Sequence, residues 1–547
     1  MDKFPVVYVR GYAGATSGID AAVDDPFYGF NSGGTHVRVN GDGNPLFYQF
    51  EGPMLRLMMD EGYQLLVRGG QDAYLKSVPD GALSNAQASI WVYRFYDTAA
   101  DTFTAPPKRP FLDNLLHRVE EKVAAPGFDI ETAATGLYDF ITEILAKTGA
   151  RKVILVAHSM GGLIARCMLQ KISQTPQADG TPRTPGAELV DRFFTYATPH
   201  GGIVFTAGAL NQIEQLIGPA GSEIFAPPNM YGYLTKGAKW GDPAPQGWDP
   251  RVIPADIFDP DRIFCLVGTD PQDYGVSRVA VGPQSDGLVR IPDAQLVNPA
   301  THRAYVYRSH SGRYGIVNSE EGYQNLRRFL FGRYQVAIQL GALDIADPPA
   351  ATAGASVTWQ ADLRMSVRGL PVVMDEQLAA HYCPIELTAE LAAQGAQGAQ
   401  GGPDGLVPLT DVFLLSPGTG PGTVASRCRF ALQLRVFQVQ EKHGFFDFSD
   451  HLEQIADWDD TLIADIGYPD GTATTGSPQV WAAWNSAISG VLANNDPIAV
   501  KPLQLADGSY LIELPQTARA ILGGASSVCF TVAERVPAAA PAGGHAD

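Results

Sequence analysis

The run Lys152-Val-Ile-Leu-Val-Ala-His-Ser-Met-Gly-Gly162 constrains the fold of this 547-residue chain more than any other. Its apolar stretch, residues 153–157, reads as a buried strand that drives into Ser159, and residues 160–171 then read as a helix. A serine between the two sits on a sharp, strained strand-to-helix turn. Such a turn admits only small residues two places before and two places after the serine, because larger side chains collide there; Ala157 and Gly161 meet the requirement. The helix that follows brings backbone N–H groups and a positive dipole end to the place where negative charge would develop on a substrate. In a chain with 58 glycines a small-x-Ser-x-Gly match carries little weight alone. The strand before it and the helix after it are what point to a nucleophile.

Strand and helix patterns alternate around this run. Residues 4–9 form an apolar strand ending in Arg10-Gly11-Tyr12-Ala13-Gly14, and residues 47–61 have helical periodicity with Leu55, Met58 and Met59 among the apolar positions. Residues 90–96 read as a second strand. A helix is expected over 132–147, with Leu137, Phe140, Ile141 and Ile144 on one face. After the serine, a strand at 192–197 ends in Thr198-Pro-His-Gly-Gly202. The alternation predicts a mostly parallel sheet with helices on both faces. Residues 203–260 interrupt it with prolines, glycines, Trp240, Trp248 and one helical run at 207–216. An excursion at the C-terminal edge of a sheet is where a cap or lid would sit. Strands at 262–268 and 303–308 and a helix at 320–331 resume the pattern.

Beyond Gly332 the period changes. Val357, Trp359, Ala361, Leu363, Met365 and Val367 alternate with polar neighbours, as do Cys428, Phe430, Leu432, Leu434 and Val436. Shorter candidates lie at 510–514 and 528–536. Period-two strands with one wet face predict an all-β, sandwich-like antiparallel domain over 333–536, after a catalytic α/β domain over 1–332. The low-complexity stretch 392–402 reads as a mobile loop, and the tail 537–547 as disordered.

Composition limits the partners. With 45% hydrophobic and 18% charged residues the chain can bury sizeable cores. A net charge of −19, with no basic cluster to offset it, opposes a phosphate backbone, so nucleic acid is not an expected partner. The five cysteines are widely spaced and form neither a disulfide framework nor a zinc pattern. No stretch is long and apolar enough to span a membrane. The first residues enter a strand at once, which leaves no room for a signal peptide and predicts a cytoplasmic location. The acidic cluster of Asp447, Asp450, His451, Asp457, Asp459 and Asp460 lacks the spacing of a calcium loop and reads as solvated surface, with Phe445, Phe446 and Phe448 beside it as core. Neither a metal nor a cofactor is expected.

A serine hydroxyl is a poor nucleophile until a base takes its proton, and that base needs a carboxylate to fix its tautomer. Among the ten histidines, His310 follows an apolar strand and precedes the last helix of the α/β region, at the sheet edge that carries Ser159. His158 adjoins the serine but is expected to point elsewhere, since neighbours in a strand face opposite sides. His200 also follows a strand end and is the rival; His302 enters its strand from the wrong end. The order Ser…Asp…His favours His310. For the acid, Asp286 in Ser285-Asp-Gly-Leu-Val289 lies between two strands, and Asp270 and Asp273 are alternatives nearer a strand end. An aspartate before glycine is also a common turn. For an oxyanion hole, the N–H groups of Met160 and Tyr12 are the candidates.

The set Ala157-His-Ser-Met-Gly-Gly162, Thr198-Pro-His-Gly-Gly202, Ser285-Asp-Gly-Leu-Val289 and Ser309-His310 resembles the bacterial lipase branch of the α/β-hydrolase family, over about residues 1–332. The resemblance implies an α/β-hydrolase fold with a mostly parallel sheet and a cap or lid insertion, a serine esterase activity on small-molecule or lipid esters, and a triad of Ser159, His310 and Asp286. Family members usually carry His-Gly in the first loop where this chain has Arg10-Gly11; since backbone N–H groups form the hole, the hole is expected to survive. The chain also starts at what the larger family counts as its third strand. The β region resembles no family. Rival readings are an acyltransferase or amidase on the same triad, or a binding module in which the β domain has the main role.

Overall fold

Strand β5 (Val153–His158) is buried along its first five residues, and a continuous apolar run is what a strand covered on both faces requires. It occupies an inner place in a six-stranded sheet with β1 (Val6–Val9), β4 (Ile90–Tyr93), β6 (Val190–Tyr196), β7 (Ile263–Gly268) and β8 (His302–Val306), in the order β4-β1-β5-β6-β7-β8. Pairing is parallel between β1 and β4, β1 and β5, β5 and β6, and β6 and β7. In this computed structural model the residues described are 3–11, 36–39, 45–48, 52–67, 71–93, 129–203, 223–272, 281–311, 315–345, 355–387, 406–416, 427–442, 456–468, 478–490 and 498–535. Strands β2 (His36–Val39) and β3 (Pro45–Tyr48) form a separate antiparallel pair.

The helix Ile130–Thr148 shows how local chemistry sets its bounds. Asp129 caps it by accepting from the N–H groups of Glu131 and Thr132 at 3.1 Å each. Gly149, at φ 64°, ends it and donates its N–H to Leu145 O. Between the caps Leu137, Phe140, Ile141 and Ile144 are buried, as their spacing predicts. The serine is followed by an α-helix over Met160–Cys167 and a π turn over Met168–Ile172. With a parallel sheet, helical crossovers and a strand-turn-helix at the serine, this is an α/β-hydrolase fold.

One element differs from its sequence reading. Phe47 and Tyr48 belong to β3, and the helix expected from residue 47 begins at Gly52. Pro53 explains the boundary, because proline fits the first turn of a helix but breaks its interior. The low-complexity stretch 392–402, the tail 537–547 and the helical run 207–216 lie outside the described residues.

The chain divides into two compact units, one of Lys3–His302 with Tyr307–Tyr323, the other containing Arg303–Val306 and Gln324–Asp547. The second is rich in antiparallel β structure. One sheet runs β11 (Val373–Gln377), β10 (Ala355–Val367), β14 (Arg427–Lys442), β15 (Trp458–Gly467), β16 (Gln479–Trp484), with β12 (Ile385–Leu387) also on β10. The other runs β13 (Val407–Leu414), β9 (Tyr334–Gly341), β19 (Ser527–Glu534), β18 (Tyr510–Glu513), β17 (Leu503–Gln504). Val336, Ile338 and Leu340 from the second sheet share one buried cluster with Leu363, Leu432 and Leu462 from the first, which is the core of a sandwich. Among the described residues no helix is long and apolar enough to cross a membrane.

On β14 and β15, Arg429 and Asp465 stand directly opposite each other. The guanidinium reaches both carboxylate oxygens, Nε at 2.7 Å and Nη2 at 2.9 Å, and Asp465 is almost fully buried. Removing one partner strands the other charge away from water. Asp465→Ala should therefore lower the unfolding free energy by about 3–5 kcal/mol in urea denaturation; an unchanged midpoint would mean that the pair contributes nothing to stability.

Candidate active site

Ser159 lies between β5 and the helix Met160–Cys167 at φ 52° and ψ −129°, a conformation that L residues rarely adopt. Its N–H donates to Tyr196 O at 3.0 Å, and its own carbonyl accepts the N–H of Gly162 at 3.0 Å. The turn is therefore held from β6 on one side and by the helix on the other. A Cβ at Gly161 would run into the carbonyl oxygens of Val9 and Arg10 at the end of β1. Glycine there is a packing requirement, set by how closely the helix approaches the neighbouring strand.

His310 meets this serine from the loop after β8. Its Nε2 is 2.9 Å from Ser159 Oγ, and its Nδ1 is 2.9 Å from Asp286 Oδ2. All three side chains are buried. The main chain joins the two loops as well, since His310 N–H donates to Asp286 O at 2.9 Å. Asp286 divides its oxygens between two tasks. Oδ2 faces the imidazole, while Oδ1 accepts the N–H groups of Leu288 at 3.0 Å and Val289 at 2.7 Å. The turn role and the histidine contact thus coexist on one carboxylate.

The other candidates lie elsewhere. Asp270 Oδ1 accepts the N–H of Gln272 at 2.9 Å. Asp273 and Tyr12 fall outside the described residues, as do Asp447, Asp450 and His451. His200 is buried with Nε2 3.2 Å from Thr195 Oγ1 and 3.6 Å from Cys265 Sγ. Burial first, and the cationic Arg166 second, push its pKa well below the ordinary histidine value, so it stays neutral. His302 Nε2 faces Asp261, 3.1 Å from its carbonyl oxygen and 3.2 Å from its carboxylate.

Met160 opens its helix, and the first amides of a helix have no partner within it. Gly11 lies across from it: a Cβ there would stand 3.0 Å from Ser159 Cβ. The site therefore has helix-terminal donors beside the serine and a backbone able to approach closely from the β1 loop.

Two contributions were not evident from the sequence. His158 does not simply face away: its Nε2 is 3.0 Å from His310 O, and the two rings are 5.1 Å apart. Arg166 is fully buried and donates to His200 O and Val252 O at 3.2 Å each, and to Gln170 Oε1 at 2.9 Å. Burial lowers its pKa to about 10, which leaves it a cation at neutral pH. The available signal was a lone arginine between Ile164 and Cys167 on an otherwise apolar helix. Among the described residues, no group of three or more His, Cys, Asp and Glu side chains is arranged to hold a metal ion.

The family model described as "Putative serine esterase (DUF676)" matches residues 108–218, a span that contains Ser159 but neither Asp286 nor His310. No curated protein matches the chain. Among solved structures the chain is similar to the mature form of lipase BlEst2 from Bacillus licheniformis, at 20% identity over 38% of this chain and 75% of that one, with a TM-score of 0.24. It is also similar to phospholipase PlaB from Legionella pneumophila, at 11% identity over 81% of this chain and 91% of that one, with a TM-score of 0.28.

Gly268, at the end of β7, is pressed between the two loops that meet at the histidine. A Cβ there would lie 2.6 Å from Arg308 O and 2.9 Å from Asp286 Cβ. Gly268→Ala should push these loops apart and lower kcat by at least about tenfold with the circular dichroism spectrum retained. An unaltered kcat would show that the loops yield to the methyl group.

Proposed function

We propose that this chain is a serine carboxylic-ester hydrolase, lipase-like in its machinery, that works through an acyl-enzyme on Ser159. The observation that carries this reading is His310 standing 2.9 Å from the Ser159 hydroxyl and 2.9 Å from the Asp286 carboxylate. The serine esterase model over residues 108–218 supports the coarser statement. Strain at the serine adds support, because an outlying backbone at the end of a buried strand has a cost that a structural serine would not need.

In the first half-reaction His310 Nε2 takes the Ser159 proton as Oγ attacks the ester carbonyl carbon. The carbonyl π electrons move to oxygen, and the N–H groups of Met160 and Tyr12 receive the oxyanion. Collapse breaks the bond to the leaving alkoxide oxygen, which departs as the alcohol with the proton from His310. Water then attacks the acyl-serine, again losing a proton to His310. The second collapse returns that proton to Ser159 and releases the acid. Asp286 Oδ2 holds His310 Nδ1 in place and stabilises the imidazolium that forms twice per cycle. The substrate is a small-molecule or lipid ester. In this reading residues 1–332 are the catalytic domain, residues 203–260 its candidate cap, and residues 333–536 a separate β domain.

Ser159→Ala should abolish hydrolysis of p-nitrophenyl esters, and turnover retained in that variant would refute the assignment. Asp286→Asn should lower kcat by about four orders of magnitude through the wrong imidazole tautomer. Asp270→Asn should stay within about threefold of the parent. The reverse pattern would move the acid to Asp270.

A further inference from the structure

We infer that His158 is a positioning residue for this reaction: its imidazole is a neutral spacer that fixes the main chain of the base at His310 against the loop at Gly11. The inference rests on the triad reading and adds a residue that has no place in it. His158 ends β5 and precedes the serine, so its backbone is already part of the strained turn. Its Nε2 is 3.0 Å from the carbonyl oxygen of His310. A carbonyl only accepts, so Nε2 carries the proton and the neutral ring has a bare Nδ1. That Nδ1 lies on the Gly11 side, 2.9 Å from where a Cβ of residue 11 would stand. One nitrogen of the ring therefore holds the base loop, and the other fills the space that a side chain at position 11 would need.

The charge state of this ring matters to the chemistry. The groups facing it are His310, whose ring centroid is 5.1 Å away, and Arg10 at the end of β1; Asp286 meets the His310 ring at Nδ1. Burial first and the His310 charge second lower the His158 pKa to about 3, against the opposing effect of its hydrogen bond to the His310 carbonyl, with Arg10 adding a smaller lowering. When His310 takes the serine proton, the new cation thus forms beside a neutral ring and not beside a second cation. A main chain held at its carbonyl also keeps the imidazole from drifting out of line between Ser159 and Asp286, and small misplacements of a catalytic group are costly.

Two substitutions separate the hydrogen bond from the ring. His158→Phe keeps an aromatic ring and has no donor; His158→Gln has an amide N–H that reaches the same carbonyl. On p-nitrophenyl butyrate, His158→Phe should lower kcat by between about ten- and a hundredfold with KM within about threefold, and His158→Gln should recover most of the loss. Labelling of Ser159 by a fluorophosphonate should slow in step, at melting temperatures equal to that of the parent. A His158→Phe enzyme as fast as the parent, or a His158→Gln enzyme as slow as His158→Phe, would overturn the role. Unmodified protein gives an independent readout even if the phenylalanine variant does not fold. The acid limb of log(kcat/KM) against pH should rise with unit slope, since a ring at His158 held neutral adds no second proton; a slope of two would mean that His158 takes up a proton in that range, and the neutral-spacer role would fail. An active Ser159→Ala would remove the triad reading itself, whereas an inactive Ser159→Ala beside an unimpaired His158→Phe removes only the role of His158.

Discussion

The backbone at Ser159 occupies a region that costs on the order of 1–3 kcal/mol, and the rest of the site is arranged around that strain. The turn survives because both sides over-determine it. The Ser159 N–H is satisfied by Tyr196 on β6, its carbonyl by Gly162 in the helix, and Gly161 lets the helix pack directly on the end of β1. These conditions are met jointly by the helix that follows the serine and by the two strands, β1 and β6, that flank β5. A serine in a loop, with none of them, would relax to an ordinary conformation and withdraw its hydroxyl.

The same economy governs the partners of the serine. The acid and base arrive on separate loops, and two kinds of bond hold them in register: the imidazole–carboxylate contact and the main-chain bond from His310 N–H to Asp286 O. Gly268 permits the approach by having no side chain where the loops converge. Behind the helix, Arg166 ties the carbonyls of His200 and Val252 to one buried guanidinium, so the Thr198–Gly202 turn is anchored from the helix that starts at the serine. Buried charge is tolerated here because each of the three guanidinium nitrogens finds a carbonyl or amide oxygen.

Much of this was legible in the sequence, for a physical reason. Buried parallel strands must be apolar throughout and the turns at their ends must be small, so residues 153–162 declared a strand, a turn and a helix together. Amphipathic spacing likewise located Ile130–Thr148 and Glu320–Phe331 within two residues. In the β unit, strict alternation marked β10 and β14 but missed β9, where Tyr334, Val336, Ile338 and Leu340 alternate over a short run directly behind a helix. Phe47 and Tyr48 misled because apolar residues before a helix mimic its periodicity; Pro53 was the overlooked signal. The contacts of His158 and Arg166 could not be read at all. Both depend on carbonyl groups 34 to 152 residues away, and a backbone carbonyl leaves no trace in residue identity.

The division of labour within the Asp286 carboxylate has a consequence for how such a site can change over time. Because Oδ1 is anchored by the amides of its own loop, the orientation of Oδ2 does not rest on the imidazole alone. The loop anchors its own carboxylate through the amides of Leu288 and Val289, and the bond from His310 N–H to Asp286 O ties it to the neighbouring loop. Neighbouring positions are then free to drift toward new substrates without loosening the charge at the centre. The carboxylate itself has no such latitude, since it must satisfy its own loop and the imidazole together.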